Sequence, residues 1–160
     1  MPVCVFKECR KIGYSQQQLY SIASDILNYP QFLPYCVNAR ILSTQPSSCL
    51  AELQIGFPPL VTEKYTSKVT FVPFQKIEAM GMNSRLFNKL QNTWTFSQQD
   101  NVTLVDFSVL FEFKNPFYAH LSRLFFTQIT QEMISSFEKR AFKLYGQPLI
   151  QSKTLSRTLY

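Results

Sequence analysis

Residues 115–148 read NPFYAHLSRLFFTQITQEMISSFEKRAFKLYGQP. Pro116 suits a first helical turn, where its missing N–H would have had no helical partner. No breaker follows until Gly146, a residue suited to the C-terminal cap, with Pro148 just beyond it. The stretch predicts one helix of about 30 residues, roughly 45 Å long. On it Leu121, Phe125, Ile129, Met133 and Phe137 step by four and form a slowly drifting apolar stripe. His120, near its start, has no acid or thiol partner nearby in sequence and is read as a surface or cap-region residue.

Upstream of this helix the hydrophobic period changes to two. Strands are predicted near residues 37–45, 48–57, 60–72, 75–82, 88–99 and 101–114. Gln45-Pro46-Ser47, Pro58-Pro59, Pro73-Phe74 and Asp100-Asn101 break them, and such short turns make neighbours antiparallel. Farther out, residues 2–13 suit a first strand. Ser15 and Gln18 form a capping box, followed by Leu19, Ile22, Ala23, Ile26 and Leu27 at helical spacing. Asn28-Tyr29-Pro30 should stop that helix near Leu27. Phe32 to Tyr35 then make a hydrophobic turn or second small helix. The order is strand, helix pair, six strands, long helix. A sheet apolar on one face must cover it, and only the last helix is long enough. The reading is α+β: a curved antiparallel sheet of about seven strands gripping a long C-terminal helix. Residues 1–146 form one domain, and 147–160 read as a polar, frayed tail.

Composition bounds the rest. A chain of 160 residues with 46% hydrophobic and 16% charged residues is neither disordered nor fibrous. Only 4 glycines argue against nucleotide folds, whose phosphate loops need several close together. Cys4, Cys9, Cys36 and Cys49 show no C-x-x-C spacing, so reduced structural thiols are expected rather than zinc or disulfides. No paired-carboxylate spacing, nucleophile elbow or phosphate loop appears, and no catalytic residue is assigned. The net charge of +6 favours acidic partners. Its local excess is C-terminal, where Lys139, Arg140, Lys143, Lys153 and Arg157 face Glu138 alone. The functional reading is attraction to an anionic membrane surface, the bland one a solvated basic face; no nucleic-acid partner is expected. No apolar run reaches the roughly 18–20 residues that span a bilayer. A signal h-region and an amphipathic presequence are also lacking, so any targeting peptide would lie outside this chain.

Parity assigns the interior. One side collects Ala51, Leu53, Ile55 and Phe57; then Val61, Glu63, Tyr65, Ser67, Val69 and Phe71; then Leu90, Asn92, Trp94 and Phe96; then Val105, Phe107, Val109, Phe111 and Phe113. So many large side chains on one concave face either fill a core or wall a pocket for a flat or isoprenoid-like ligand. Glu63 either pairs with Arg85, Asn92 or the Trp94 indole, or joins Asn92 in orienting a ligand headgroup.

The run Tyr14-Ser15 through Leu19, with Asn28-Tyr29-Pro30-Gln31-Phe32-Leu33-Pro34-Tyr35-Cys36, resembles the START-like coenzyme Q-binding proteins, relatives of the polyketide cyclase/dehydrase family. Ala51-Glu52-Leu53-Gln54-Ile55-Gly56-Phe57, Glu63 to Val69, Asn92 to Phe96, Phe111 to Pro116 and Phe137 to Ala141 match in the same order. Asn-Tyr-Pro-x-Phe-Leu-Pro is the most specific piece, and the resemblance spans residues 3–146. It implies a helix-grip fold whose tunnel holds ubiquinone or another polyprenyl lipid. It also implies a carrier or chaperone, not an enzyme, at the matrix side of the mitochondrial inner membrane, supporting respiration and coenzyme Q biosynthesis. A biosynthetic complex is then a candidate partner. The ligand wall expected on this basis is Leu53, Ile55, Phe57, Glu63, Tyr65, Val69, Asn92, Trp94, Phe107, Val109 and Phe111 from the sheet. Phe125, Ile129 and Met133 join it from the helix. Pro58, Pro59 and Leu60 are the expected apolar entrance, and Lys139 and Lys143 the membrane contact. Two alternatives stay open: a module binding the ribosome or a biosynthetic complex, and a cyclase-like enzyme.

Overall fold

A computed structural model of the chain describes residues 3–56 and 62–159; among these, side chains are described for all but 121–126 and 159. Eight strands form one antiparallel sheet in the order β2-β3-β4-β5-β6-β7-β1-β8. They are β1 Cys4–Ile12, β2 Cys36–Gln45, β3 Ser48–Gly56, β4 Thr62–Val72, β5 Lys76–Met82, β6 Phe87–Gln99, β7 Val102–Phe113 and β8 Lys153–Leu159. Consecutive hairpins carry the chain from β2 to β7, and β1 closes against β7, with Phe6 opposite Val109 and Arg10 opposite Val105. The long helix, α3, spans Pro116–Tyr145. The architecture is the α+β helix-grip arrangement expected from the sequence.

The predicted ends of α3 hold. Asn115 accepts the Phe117 N–H at 2.9 Å, and Gly146 takes φ +82°, a left-handed value that a side chain resists. The face turned inward differs from the predicted stripe. Thr130, Ile134, Phe137 and Ala141 are buried, stepping by four, three and four, whereas Ile129 and Met133 are half-buried beside them. A pure four-residue step drifts around the helix, and alternating three with four keeps residues on one face.

Two further expectations are corrected. The first helix, α1, runs Gln16–Ser24 from the expected Ser15–Gln18 capping box, but ends before Leu27. Asp25 leaves helical geometry at φ −87°, ψ 70°, a 3-10 turn follows at Ile26–Asn28, and Pro30 sits in the first turn of a short helix α2, Tyr29–Phe32. The second correction concerns the expected frayed tail, of which residues 147–159 are described. They contain β8, which makes an eighth strand and pairs along β1 from Lys11↔Lys153 to Phe6↔Leu159 with one bulge. Gly13 permits this return: a Cβ there would lie 2.5 Å from the Ile150 carbonyl oxygen, and the Leu149 N–H reaches the Gly13 carbonyl at 2.9 Å.

Candidate functional site

Alternation along β6 and β7 turns Trp94, Phe96, Val105 and Phe107 toward α3, and all four are buried. Trp94 and Phe107 face each other across the two strands, ring centroids 4.3 Å apart. Phe137 descends from α3 onto Trp94 at 4.5 Å and 57° between planes, a tilted contact that aromatic quadrupoles favour. Phe32 and Tyr29 of α2 meet Phe137 edge-on at 5.3 and 6.1 Å. The Asn-Tyr-Pro-x-Phe segment therefore clasps the helix. Tyr35 adds a hydroxyl hydrogen bond to Glu132, and the Arg140 guanidinium lies 5.3 Å from the centre of the Phe32 ring.

Between sheet and helix lies a cavity of about 30 Å³. Leu19, Ile22, Ala23, Ile134 and the rings of Trp94, Phe96, Phe107 and Phe137 make most of its wall, and Glu8, Arg10 and Glu138 border it as well. An engineered cavity of about 150 Å³ is known to admit benzene. This one is water-sized as it stands, and a ring entering here has to displace wall side chains.

Glu8, Arg10 and Glu138, which border the cavity, join Arg157 in a four-residue charged network. Arg10 on β1 donates from Nη1 to Glu138 on α3 at 3.0 Å and from Nη2 to Glu8 at 3.2 Å. Arg157 on β8 donates to the same Glu8 oxygen from Nε at 3.0 Å and Nη2 at 2.6 Å. The Glu8 side chain is only 1% exposed. Two cations and two anions balance, which is the condition for burying such groups.

The residues expected to form a ligand wall do share the inner face of the sheet, but they spread along it. Among the described residues of that expected wall, only Trp94 and Phe107 line this cavity. Val69 and Phe111 are buried elsewhere in the same core, and Val109 and Asn92 are half-buried opposite each other on β7 and β6. Leu53 is half-buried opposite Tyr65, and buried Ile55 stands opposite Glu63. Burial raises the Tyr65 hydroxyl, like that of Tyr29, above the usual phenol range, with nearby Cys36 adding to the effect, so both stay protonated donors at neutral pH. Glu63 accepts the Arg85 backbone N–H at 2.8 Å, so it braces the segment between β5 and β6 by the Arg85 backbone and not its guanidinium. Phe57, Pro58, Pro59 and Leu60 lie outside the described residues, as do the side chains of Leu121 and Phe125. Lys139, Lys143 and His120 are exposed. Among the described residues no three His, Cys, Asp or Glu side chains gather as a metal site.

The sequence reading missed Glu8, Arg10, Glu138 and Arg157 as a site. The signal was present in β1, where Phe6 and Ile12 share parity with Glu8 and Arg10, so a strand with an apolar inner face carries two charges on it.

Residues 12–138 match the family described as polyketide cyclase/dehydrase and lipid transport. The coenzyme Q-binding protein COQ10 homolog B, mitochondrial, of Xenopus laevis is 37% identical over 147 residues, 89% of this chain and 59% of its own length. The ribosome association toxin RatA of Rickettsia prowazekii is 33% identical over 140 residues, 85% of this chain and 94% of its own. The chain spans 59% and 61% of the Xenopus and Drosophila melanogaster coenzyme Q-binding relatives. Among solved structures, a START superfamily protein from Mycobacterium smegmatis superposes with a TM-score of 0.76 at 18% identity, covering 88% of this chain and 99% of that one. An aromatase/cyclase from Streptomyces sp. R1128 reaches 0.79 at 11% identity over 89% and 95%, a likeness of fold alone.

Proposed function

The chain belongs to the polyketide cyclase/dehydrase and lipid transport family, and we propose that it holds ubiquinone or a related polyprenyl lipid between its sheet and α3. The observation that carries this reading is the ring-walled cavity beneath α3, in a chain similar to coenzyme Q-binding proteins over about nine-tenths of its length. Burial of an isoprenoid tail contributes about 2.5 kcal/mol per 100 Å² before ordering costs. Ring contacts that part and re-form suit a carrier that takes up and releases its cargo. The protein binds and presents the lipid without transforming it. Its place is the matrix side of the mitochondrial inner membrane, in support of respiration and coenzyme Q biosynthesis. No described helix is long and apolar enough to cross a membrane. The exposed Lys139 and Lys143 make the peripheral contact with the bilayer.

Trp94 is the only tryptophan, so its fluorescence reports directly on the cavity. Titration with a short-chain ubiquinone should quench it saturably at micromolar concentration. Quenching that rises linearly, as in free indole, counts against the site.

A second reading, ribosome association, is favoured by the near-complete coverage of the Rickettsia relative. Co-sedimentation of lipid-free protein with ribosomes, undiminished by excess quinone, would select it.

A further inference from the structure

The charged network that borders the cavity contains two unsatisfied atoms, both beneath the cavity's apolar surface. All three hydrogen bonds to Glu8 converge on Oε1. Its other oxygen, Oε2, and Nε of Arg10 are buried with no hydrogen-bond partner among the described residues. An orphaned buried carboxylate oxygen bears the desolvation penalty of its charge, and native folds seldom leave one empty. Glu8 and Arg10 stand two residues apart on the inward face of β1, and both line the cavity with the Trp94 and Phe107 rings. One atom requires a donor and the other an acceptor.

We propose that Glu8 Oε2 and Arg10 Nε form a headgroup subsite for a ring hydroxyl, as carried by a hydroquinone or a phenol. A hydroxyl donates to Oε2 and accepts from Nε, so it satisfies both. A quinone carbonyl only accepts: it satisfies Arg10 and leaves Glu8 facing another lone pair. The network is already balanced, with two cations against two anions. It therefore favours a neutral group over a ring carboxylate, whose added charge would be buried unpaired. The subsite rests on the lipid-binding reading and narrows it: the reduced, hydroxylated ring is the preferred cargo.

The test is anaerobic calorimetry of the full chain with decylubiquinol, decylubiquinone and a decylphenol. Hydrogen bonds to charged groups predict that the quinol binds about tenfold or more tighter than the quinone. Glu8→Gln, whose amide can donate to a carbonyl, should erase or reverse that preference. A phenol as tight as the quinol makes any single ring hydroxyl sufficient, whereas a weaker phenol assigns the subsite to the quinol itself. Equal affinity for quinol and quinone in the wild-type chain overturns the subsite, since water then fills it in both complexes, yet leaves lipid binding standing. Binding of none of the three overturns both. The wild-type comparison decides even if Glu8→Gln does not fold.

Discussion

Trp94 on β6 and Phe137 on α3 meet ring to ring, centroids 4.5 Å apart, and this contact seats the long helix on the sheet. Phe107 supports the indole from below and Phe32 and Tyr29 flank the phenyl. The proposed ligand wall and the core of the fold are therefore partly the same side chains.

That overlap separates two substitutions. Trp94→Ala should cost about 3–5 kcal/mol in urea denaturation, because it leaves a cavity among packed rings. Leu53→Ser changes a half-buried position and should cost about 1–3 kcal/mol. If Leu53 contacts lipid, its variant should lose lipid retention while remaining folded. Unchanged retention removes Leu53 from the wall.

The clasp between the Asn-Tyr-Pro segment and α3 should respond to acid. Hydrogen bonds from Tyr35 and Gln128 hold the Glu132 carboxyl below its usual value. A depressed folded pKa stabilises above the unfolded value and is lost as pH falls through the folded one. Wild type should therefore exceed Tyr35→Phe in thermal stability at pH 7, and the gap should close as pH falls below the ordinary carboxylate range. A gap constant from pH 7 to 3 would contradict this. At the other extreme, burial and the bond to Glu132 push the Tyr35 hydroxyl up to about 12, so its contribution fades as pH rises from 10 toward that value.

Removal of residues 151–160 separates a strand from a tail. Without β8, Glu8 loses both Arg157 bonds and β1 gains an open edge. The expected loss is about 1–3 kcal/mol, discounted because Arg157 is partly exposed. A denaturation midpoint equal to that of the full chain would show that β8 contributes nothing.

Local chemistry made most of the architecture legible. The Ser15–Gln18 capping box, Asn115-Pro116 and Gly146 mark helix ends through groups that each end requires, and period-two runs located six strands of the meander. Parity also put Trp94 and Phe107 on the inner face. What escaped depends on distant partners. Residues 153–159 look polar because an edge strand is solvated, and only Gly13 and the β1 edge, about 140 residues away, make them a strand. Glu8 and Arg10 looked like ordinary charges on an N-terminal strand, since their counter-charges Glu138 and Arg157 lie far along the chain.

Docking to an anionic bilayer should depend on salt. With Lys139 and Lys143 exposed near the end of α3, binding to phosphatidylserine vesicles should weaken between low salt and about 0.5 M, as the Debye length contracts. Replacing both lysines by glutamate should weaken it further. Salt-independent binding would assign docking to apolar contacts instead.

The most direct test of the central claim is mass spectrometry of the organic extract from purified protein. Wild-type protein should yield a polyprenyl quinone or quinol at near-stoichiometric amounts. A folded preparation that carries no isoprenoid lipid, and takes none up from quinone-loaded vesicles, would contradict it.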